Sequence, residues 1–282
     1  MAFMPYSMQI FFSFMMMSMM FIFIPRASIS ADRIHQVLTT GTSVVDPPSP
    51  AVFPDKLGGV VRFDNVSFRY PGSNEDVLHR IDFTARPGKV TAVVGTTGAG
   101  KTTLVSLVPR FYDVTEGSVS IDGVDVRSVK QKALRDLIGF VPQKASLFSG
   151  TVESNLRYAR DEAGSEDLDR ALEIAQAKEF VRALPGGISA PVSQGGMNFS
   201  GGQRQRLTIA RALMKKGPVF IFDDSFSALD FTTDKKLRAA LTEKLADSTV
   251  ILVTQRVATI KGADQIIVLD EGKMVGKGRH AE

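Results

Sequence analysis

The sequence predicts an α/β fold. At its centre is a parallel sheet buried on both faces, joined by an antiparallel β subdomain and a helical subdomain and preceded by one apolar helix. Three observations predict it. Short apolar runs, "KVTAVV" (Lys89 to Val94), "PVFIFDD" (Pro218 to Asp224) and "STVILVTQ" (Ser248 to Gln255), each lead into a helical stretch, and strands apolar on both sides belong to parallel sheets covered by helices. "VVRFDNVSFRY" (Val60 to Tyr70) instead alternates, and "PGSNEDV" and "LHRIDFTARPG" after it read as a turn and a second strand-turn unit. The span Glu153 to Leu184 is rich in helix formers and charge with little strand signal, so it reads as a helical insertion.

The 282 residues, 44% of them hydrophobic, suffice for a full core in one large domain or two smaller ones. Lys and Arg total 34 against 30 Asp and Glu, a net charge of +4, but the two signs are interspersed. With no basic run woven with aromatics, nucleic acid is not expected as a partner. The absence of Cys removes disulfides and thiolate metal sites, and 3 His leave little for a His-based one.

In chain order, no charge occurs from Met1 to Pro25, and "IFFSFMMMSMMFIFI" (Ile10 to Ile24) is nearly all apolar, so this segment is expected to cross a bilayer as a helix. A signal peptide is the rival, since "SIS" before Ala31 resembles a cleavage site, but no positive region precedes the apolar run. Arg26 and Arg33 follow the apolar stretch and place its C-terminal side in the cytoplasm. "ASISADRIHQVL" (Ala27 to Leu38) keeps a helical spacing and carries the helix onward. Pro47, Pro48, Pro50 and Pro54 then mark a linker, expected over 39–58, with the main domain over 59–282.

"GTTGAGKT" (Gly95 to Thr102) fits the pattern of a loop that cradles nucleotide phosphates and lies between an apolar strand and a helix, as that pattern requires. Gly95, Gly98 and Gly100 let backbone N–H groups approach phosphate oxygens, with Thr96, Thr97 and Ala99 between them and Thr103 just beyond. Lys101 supplies a charge for the β and γ phosphates, and Thr102 a hydroxyl for Mg²⁺. Asp223 ends an apolar strand, where an ATPase of this kind needs a carboxylate for Mg²⁺; Asp224 follows, where a carboxylate would polarise water. In "NFSGGQRQRLTIARAL" (Asn198 to Leu213), Ser200 and Gln203 have capping-box spacing, and Leu207, Ala210, Leu213 and Met214 share one helix face. Gly201 and Gly202 weaken a helix start but admit an anion to its free N–H groups.

On these residues the chain resembles the nucleotide-binding domain of ABC transporters, specifically exporters with fused membrane and ATPase domains. The resemblance runs from about the linker to the C-terminus. It implies a P-loop NTPase core of RecA-like type, a helical subdomain at about 144–215, and residues 1–38 as the end of the last transmembrane helix. "GTTGAGKT" resembles Walker A and "VFIFDD" Walker B, with Asp223 on the Mg²⁺ side. Tyr70 resembles the aromatic that stacks on adenine, and Gln143 the Q-loop glutamine that contacts Mg²⁺ and water. "FSGGQ" (Phe199 to Gln203) resembles the signature motif that reaches a partner's ATP in a head-to-tail dimer. "SALD" (Ser227 to Asp230) resembles the D-loop, and "VSQGG" (Val192 to Gly196) the exporter loop that touches the coupling helices.

Two residues depart from the family pattern. The family usually has Glu where this chain has Asp224, one methylene shorter, and a His where it has Gln255, which cannot carry a proton or a positive charge. The resemblance therefore implies a degenerate ATP site within a heterodimer of half-transporters, in a cell membrane, exporting a small molecule, lipid or peptide. An exporter half of this family has six membrane helices, so the sequence is expected to be a fragment or a late-start product. A soluble ABC ATPase of the DNA-repair or chromosome type and a non-hydrolysing regulatory module are the alternatives. The apolar start and the lack of a coiled coil between Gln143 and Phe199 disfavour the former.

Overall fold

The computed structural model describes residues 3–255 and 260–280, and the chain divides into two compact units between Val45 and Asp46. The first unit is helix α1 (Phe3–Thr39), 37 residues with Pro25 inside it and none buried. Met1 and Ala2 of the expected membrane segment lie outside the described residues. At 1.5 Å per residue the helix is about 55 Å long, well beyond the roughly 30 Å of a bilayer's hydrocarbon core. By length and composition it is able to cross a membrane. It continues through "ASISADRIHQVL", as the spacing there predicts.

The second unit begins with the antiparallel pair β1 (Val61–Phe68) and β2 (Leu78–Ala85), followed by β3 (Val90–Gly95) and α2 (Lys101–Ser106). Next come β4 (Glu116–Ile121), β5 (Val124–Asp125), α3 (Gln131–Asp136) and β6 (Ile138–Val141). The helical region holds β7 (Gly150–Thr151), α4 (Val152–Arg157), α5 (Ser165–Ile174), α6 (Lys178–Arg182), β8 (Pro191–Val192) and α7 (Gly201–Leu213). The chain then runs through β9 (Val219–Asp223), α8 (Phe231–Lys244), β10 (Thr249–Val253), β11 (Gln265–Asp270) and β12 (Lys273–Gly278).

Ten strands form one sheet in the order β5-β4-β1-β2-β12-β11-β3-β10-β9-β6. Its core is parallel, with β3 between β10 and β11 and with β9 between β10 and β6. Every residue of β9 is buried, which explains why it reads as one apolar run. The antiparallel layer is tied by cross-strand pairs such as Phe63 on Phe83, stacked at 4.6 Å. The link between the layers is β12, which forms a hairpin with β11 and touches β2 in parallel at Lys273 and His79. Strands β1, β2, β3, β9 and β10 fall on the runs that the sequence marks as strands, whereas β4 to β8 and the β11–β12 hairpin do not.

The opening stretch of the second unit, from Asp46 to Val60, has little regular structure of its own but is held to the rest of that unit. The Ala51 N–H donates to the Ser128 carbonyl at 2.7 Å, and the Asp122 carboxylate accepts the Gly59 and Val60 N–H groups, each at 2.8 Å. In the helical region Leu156, Leu168, Leu172 and Leu207 share a buried cluster with the helix face at Ala210, Leu213 and Met214.

Candidate nucleotide site

The loop between β3 and α2 forms one wall of a cavity of about 270 Å³. At Gly95 φ is 153°, and a Cβ there would lie 2.1 Å from the Leu269 carbonyl oxygen, so only glycine fits against β11. Lys101 is nearly buried, and its ammonium donates to the carbonyls of Gly95 at 3.0 Å and Thr96 at 2.6 Å. Thr97, Gly98, Gly100, Lys101, Thr102 and Thr103 all line the cavity. A phosphate entering here meets a fixed positive charge and the free N–H groups of a tight loop.

The opposite wall comes from the ends of three neighbouring strands. Asp223 ends β9, and Thr102 Oγ1 donates to its Oδ1 at 3.1 Å. Burial pushes the Asp223 carboxyl above the usual carboxylate range and the adjacent Asp224 charge pushes the same way, against the Thr102 hydrogen bond and the Lys101 charge. Asp224 has a left-handed backbone, φ 44°, held by its N–H donating to the Val253 carbonyl at 3.0 Å. Gln143, beyond β6, and Gln255, beyond β10, complete the lining with Val77 and Val253. Arg256, next after Gln255, lies outside the described residues. Asp224 and Gln255, the two departures from the expected pattern, thus face the same space as Lys101.

Other candidate residues are not in the lining. Tyr70 stands close by, its hydroxyl 2.8 Å from Thr103 Oγ1 and its ring edge-on to Phe68 and Tyr112. Ser200 caps α7 as its spacing predicts: the Gln203 N–H donates to Ser200 Oγ at 3.3 Å, and the Ser200 N–H donates to Gln203 Oε1 at 2.9 Å. A Cβ at Gly202 would lie 3.2 Å from the Ala228 carbonyl oxygen, so the start of α7 packs directly on the Ser227 to Asp230 turn. Asp230 caps α8 by accepting the Thr233 N–H at 3.0 Å, which holds its carboxyl below the usual range. Ser200, Gly201, Gly202, Gln203 and Asp230 therefore form a second cluster that contributes nothing to the cavity.

The profile of the family described as "ABC transporter" matches residues 78–227, more than half of the chain. The chain belongs to this family. It is 48% identical over 282 residues to an uncharacterised ABC transporter ATP-binding protein of Mycobacterium tuberculosis, covering 99% of this chain and 48% of that one. It is 44% identical over 230 residues to the ATP-dependent lipid A-core flippase of Pseudomonas aeruginosa, covering 81% of this chain and 38% of the flippase. A solved bacterial Atm1-family ABC exporter with ATP bound superposes with a TM-score of 0.84 at 35% identity, covering 98% of this chain and 48% of the exporter. The chain spans about half the length or less of these relatives.

An ABC transporter ATP-binding domain binds ATP, and the residues of this cavity can be tested for their fit to a divalent cation beside the nucleotide. Thr102, Asp223 and Gln143 each carry a side-chain oxygen in the lining, the donor type that hard divalent cations prefer. The buried Asp223 carboxyl, raised by desolvation and by Asp224, is the kind of group a cation would relieve. Among the described residues there is no cluster of three His, Cys, Asp or Glu. Mg²⁺ is commonly held by one or two carboxylates together with substrate phosphates, and Asp223 is the carboxylate placed for that here. Ser225, which no sequence motif marks, is fully buried, and its hydroxyl lies 3.0 Å from the Val141 carbonyl and 3.2 Å from that of Asp223, linking the start of the Gln143 loop to the end of β9. Only its place directly after the two acids hinted at it.

Proposed function

We propose that the chain is the ATP-binding part of an ABC exporter subunit, with residues 1–38 as the end of its membrane domain, 39–58 as the linker and 59–282 as the cytoplasmic nucleotide-binding domain. In this reading ATP binding and hydrolysis in a head-to-tail dimer drive export of a small molecule, lipid or peptide across the cell membrane. One observation carries it: Lys101, Thr102, Gln143 and Asp223 face one cavity, while Ser200 to Gln203 lie outside its lining at the exposed start of α7.

Lys101 moves from the Gly95 and Thr96 carbonyls to the β and γ phosphates, and the loop N–H groups hold their oxygens. Tyr70 stacks on the adenine, and Thr103 steadies its hydroxyl. Thr102, Asp223 and Gln143 would hold Mg²⁺, which would supply neutralisation of charge on the phosphates. Asp224 has the task of orienting the attacking water. Its carboxylate stops about one bond length short of where Glu would reach, and a displacement of about 1 Å costs on the order of a hundredfold in rate. Gln255 donates a hydrogen bond to the γ-phosphate but brings no positive charge. The site accordingly binds ATP and hydrolyses it slowly, and Ser200 with Gly201, Gly202, Gln203 and Asp230 completes the faster site of a partner half-transporter, giving a heterodimer.

The experiment is single-site turnover in reconstituted full-length subunits. Asp224→Glu combined with Gln255→His is expected to raise hydrolysis at this site by tenfold or more, with ATP affinity unchanged. Equal turnover with and without the pair sinks the slow-site reading. Ser200→Ala is expected to slow the partner's site while leaving ATP trapping at Lys101 intact, and the reverse pattern overturns the head-to-tail assignment.

A further inference from the structure

A second cavity, of about 410 Å³, opens where the helical region meets the N-terminal ends of β9 and β10. Phe220 lies in its lining, so it sits at the end of β9 opposite Asp223 and shares no residue with the nucleotide cavity. Five cationic side chains line it, Arg160, Arg170, Lys215, Lys216 and Lys244, against one carboxylate, Asp167. That excess of four positive charges equals the net charge of the whole chain.

The cations come from separate segments. Arg160 follows α4, Arg170 is in α5, Lys215 and Lys216 follow α7, and Lys244 ends α8. Asp167 pairs with Arg160 and lies 3.8 Å from Lys216, and Lys215 is paired outside the cavity with Asp136 at 2.7 Å. Arg170 and Lys244 have no ion pair or side-chain hydrogen bond among the described residues. Cations near the ends of α4, α7 and α8 offset the negative ends of those helix dipoles, which accounts for Arg160 and the three lysines but not for Arg170. Like charges gathered around one cleft repel one another, most strongly at low ionic strength. An anion in the cavity relieves that repulsion directly. The remaining lining, with Ile174, Leu213, Met214, Phe220 and Leu245, is apolar.

We propose that this cleft is an anion site for a phosphorylated small molecule with an apolar or aromatic part, contacted by Arg170 and Lys244. The proposal is independent of the hydrolysis reading above.

The test is calorimetric titration of inorganic pyrophosphate into the full chain in detergent, in a Lys101→Ala background that silences the phosphate loop. Binding is expected, weakening steeply with salt. Removing two charge-assisted contacts by Arg170→Gln with Lys244→Gln should weaken it by about a hundredfold, roughly tenfold for each contact. The charge-keeping pair Arg170→Lys with Lys244→Arg should stay within a few-fold of the Lys101→Ala protein and melt at its temperature. No binding, or binding equal in the Gln pair and the Lys101→Ala protein, overturns the proposal. A parallel titration with short-chain phosphatidic acid identifies the source of the ligand. Affinity above that of pyrophosphate assigns a lipid headgroup, and affinity below it a free phosphorylated molecule.

Discussion

Asp224→Asn is expected to make the protein more stable, although it removes a residue of the nucleotide cavity. The Asp224 carboxylate makes no hydrogen bond or ion pair among the described residues, so its loss leaves no partner stranded. Asn is as tolerant as Asp of the left-handed backbone that φ 44° imposes, so the main change is electrostatic. Like charges on successive residues, about 6 Å apart, repel by about 0.7–3 kcal/mol for effective dielectric constants between about 80 and 20. Near the mouth of a cavity we take about 1 kcal/mol, which for a domain of this size raises Tm by about 2–4 °C. The effect depends on pH with a definite sign. Because the Asp223 carboxyl is raised, the folded state holds its proton more tightly than the unfolded chain does. Its contribution therefore favours folding below the unfolded value of about 3.9 and is lost as pH rises through the folded value. Removing the Asp224 charge narrows that window, so variant and parent should melt together at about pH 3.5 and separate toward pH 7. Thermal melts across that range, without nucleotide, are the assay. A lower Tm for the variant at pH 7, or a gap of equal size at both ends, refutes the reasoning.

Three further outcomes follow from the geometry. Ser225→Ala removes a buried hydroxyl bonded to the Val141 and Asp223 carbonyls and should cost about 1–2 kcal/mol in denaturant melts, with weaker ATP binding because Val141 leads to Gln143. Gly95→Ala drives a Cβ onto the Leu269 carbonyl and should cost about 3 kcal/mol or more and abolish nucleotide binding, read by melting and by fluorescent-nucleotide titration. Burial pushes the Asp264 carboxyl up, but the Val90 N–H and the Lys89 ammonium outweigh that and hold it below the usual range. The stabilisation it gives is present above about pH 4 and lost as pH falls through the folded value, so Asp264→Asn should cost about 0.5–1 kcal/mol at pH 7 and nothing near pH 2.

What was legible in the sequence followed from strong local rules. The phosphate loop announced itself because its glycines, lysine and flanking strand and helix are contiguous, and the α7 start because Ser200 and Gln203 need only three residues of spacing. Buried strands such as β9 read clearly because both faces are covered. The β11–β12 hairpin did not, because four of the six residues of β12, "KMVGKG", are glycine or lysine and it alternates weakly. Its signal was the Glu271-Gly272 turn, with φ values of 43° and 73°, between two strand-like runs. The convergence of Gln143, Asp223 and Gln255 was out of reach of spacing, since it depends on the strand order that sets β6, β9 and β10 side by side. Only family resemblance brought those residues together in advance. The cationic cleft was hidden for the same reason, its charges lying far apart along a chain that looks evenly mixed.

The place of β3 in the sheet has a consequence for how the protein fails. With β10 on one side and β11 on the other, its amides are shielded along both edges and should exchange with solvent only when the whole domain opens. Breathing motions that fray α1 or the outer strands leave the anchor of the phosphate loop in place. Heat or denaturant should therefore abolish nucleotide capture in one step, together with the loss of the fold.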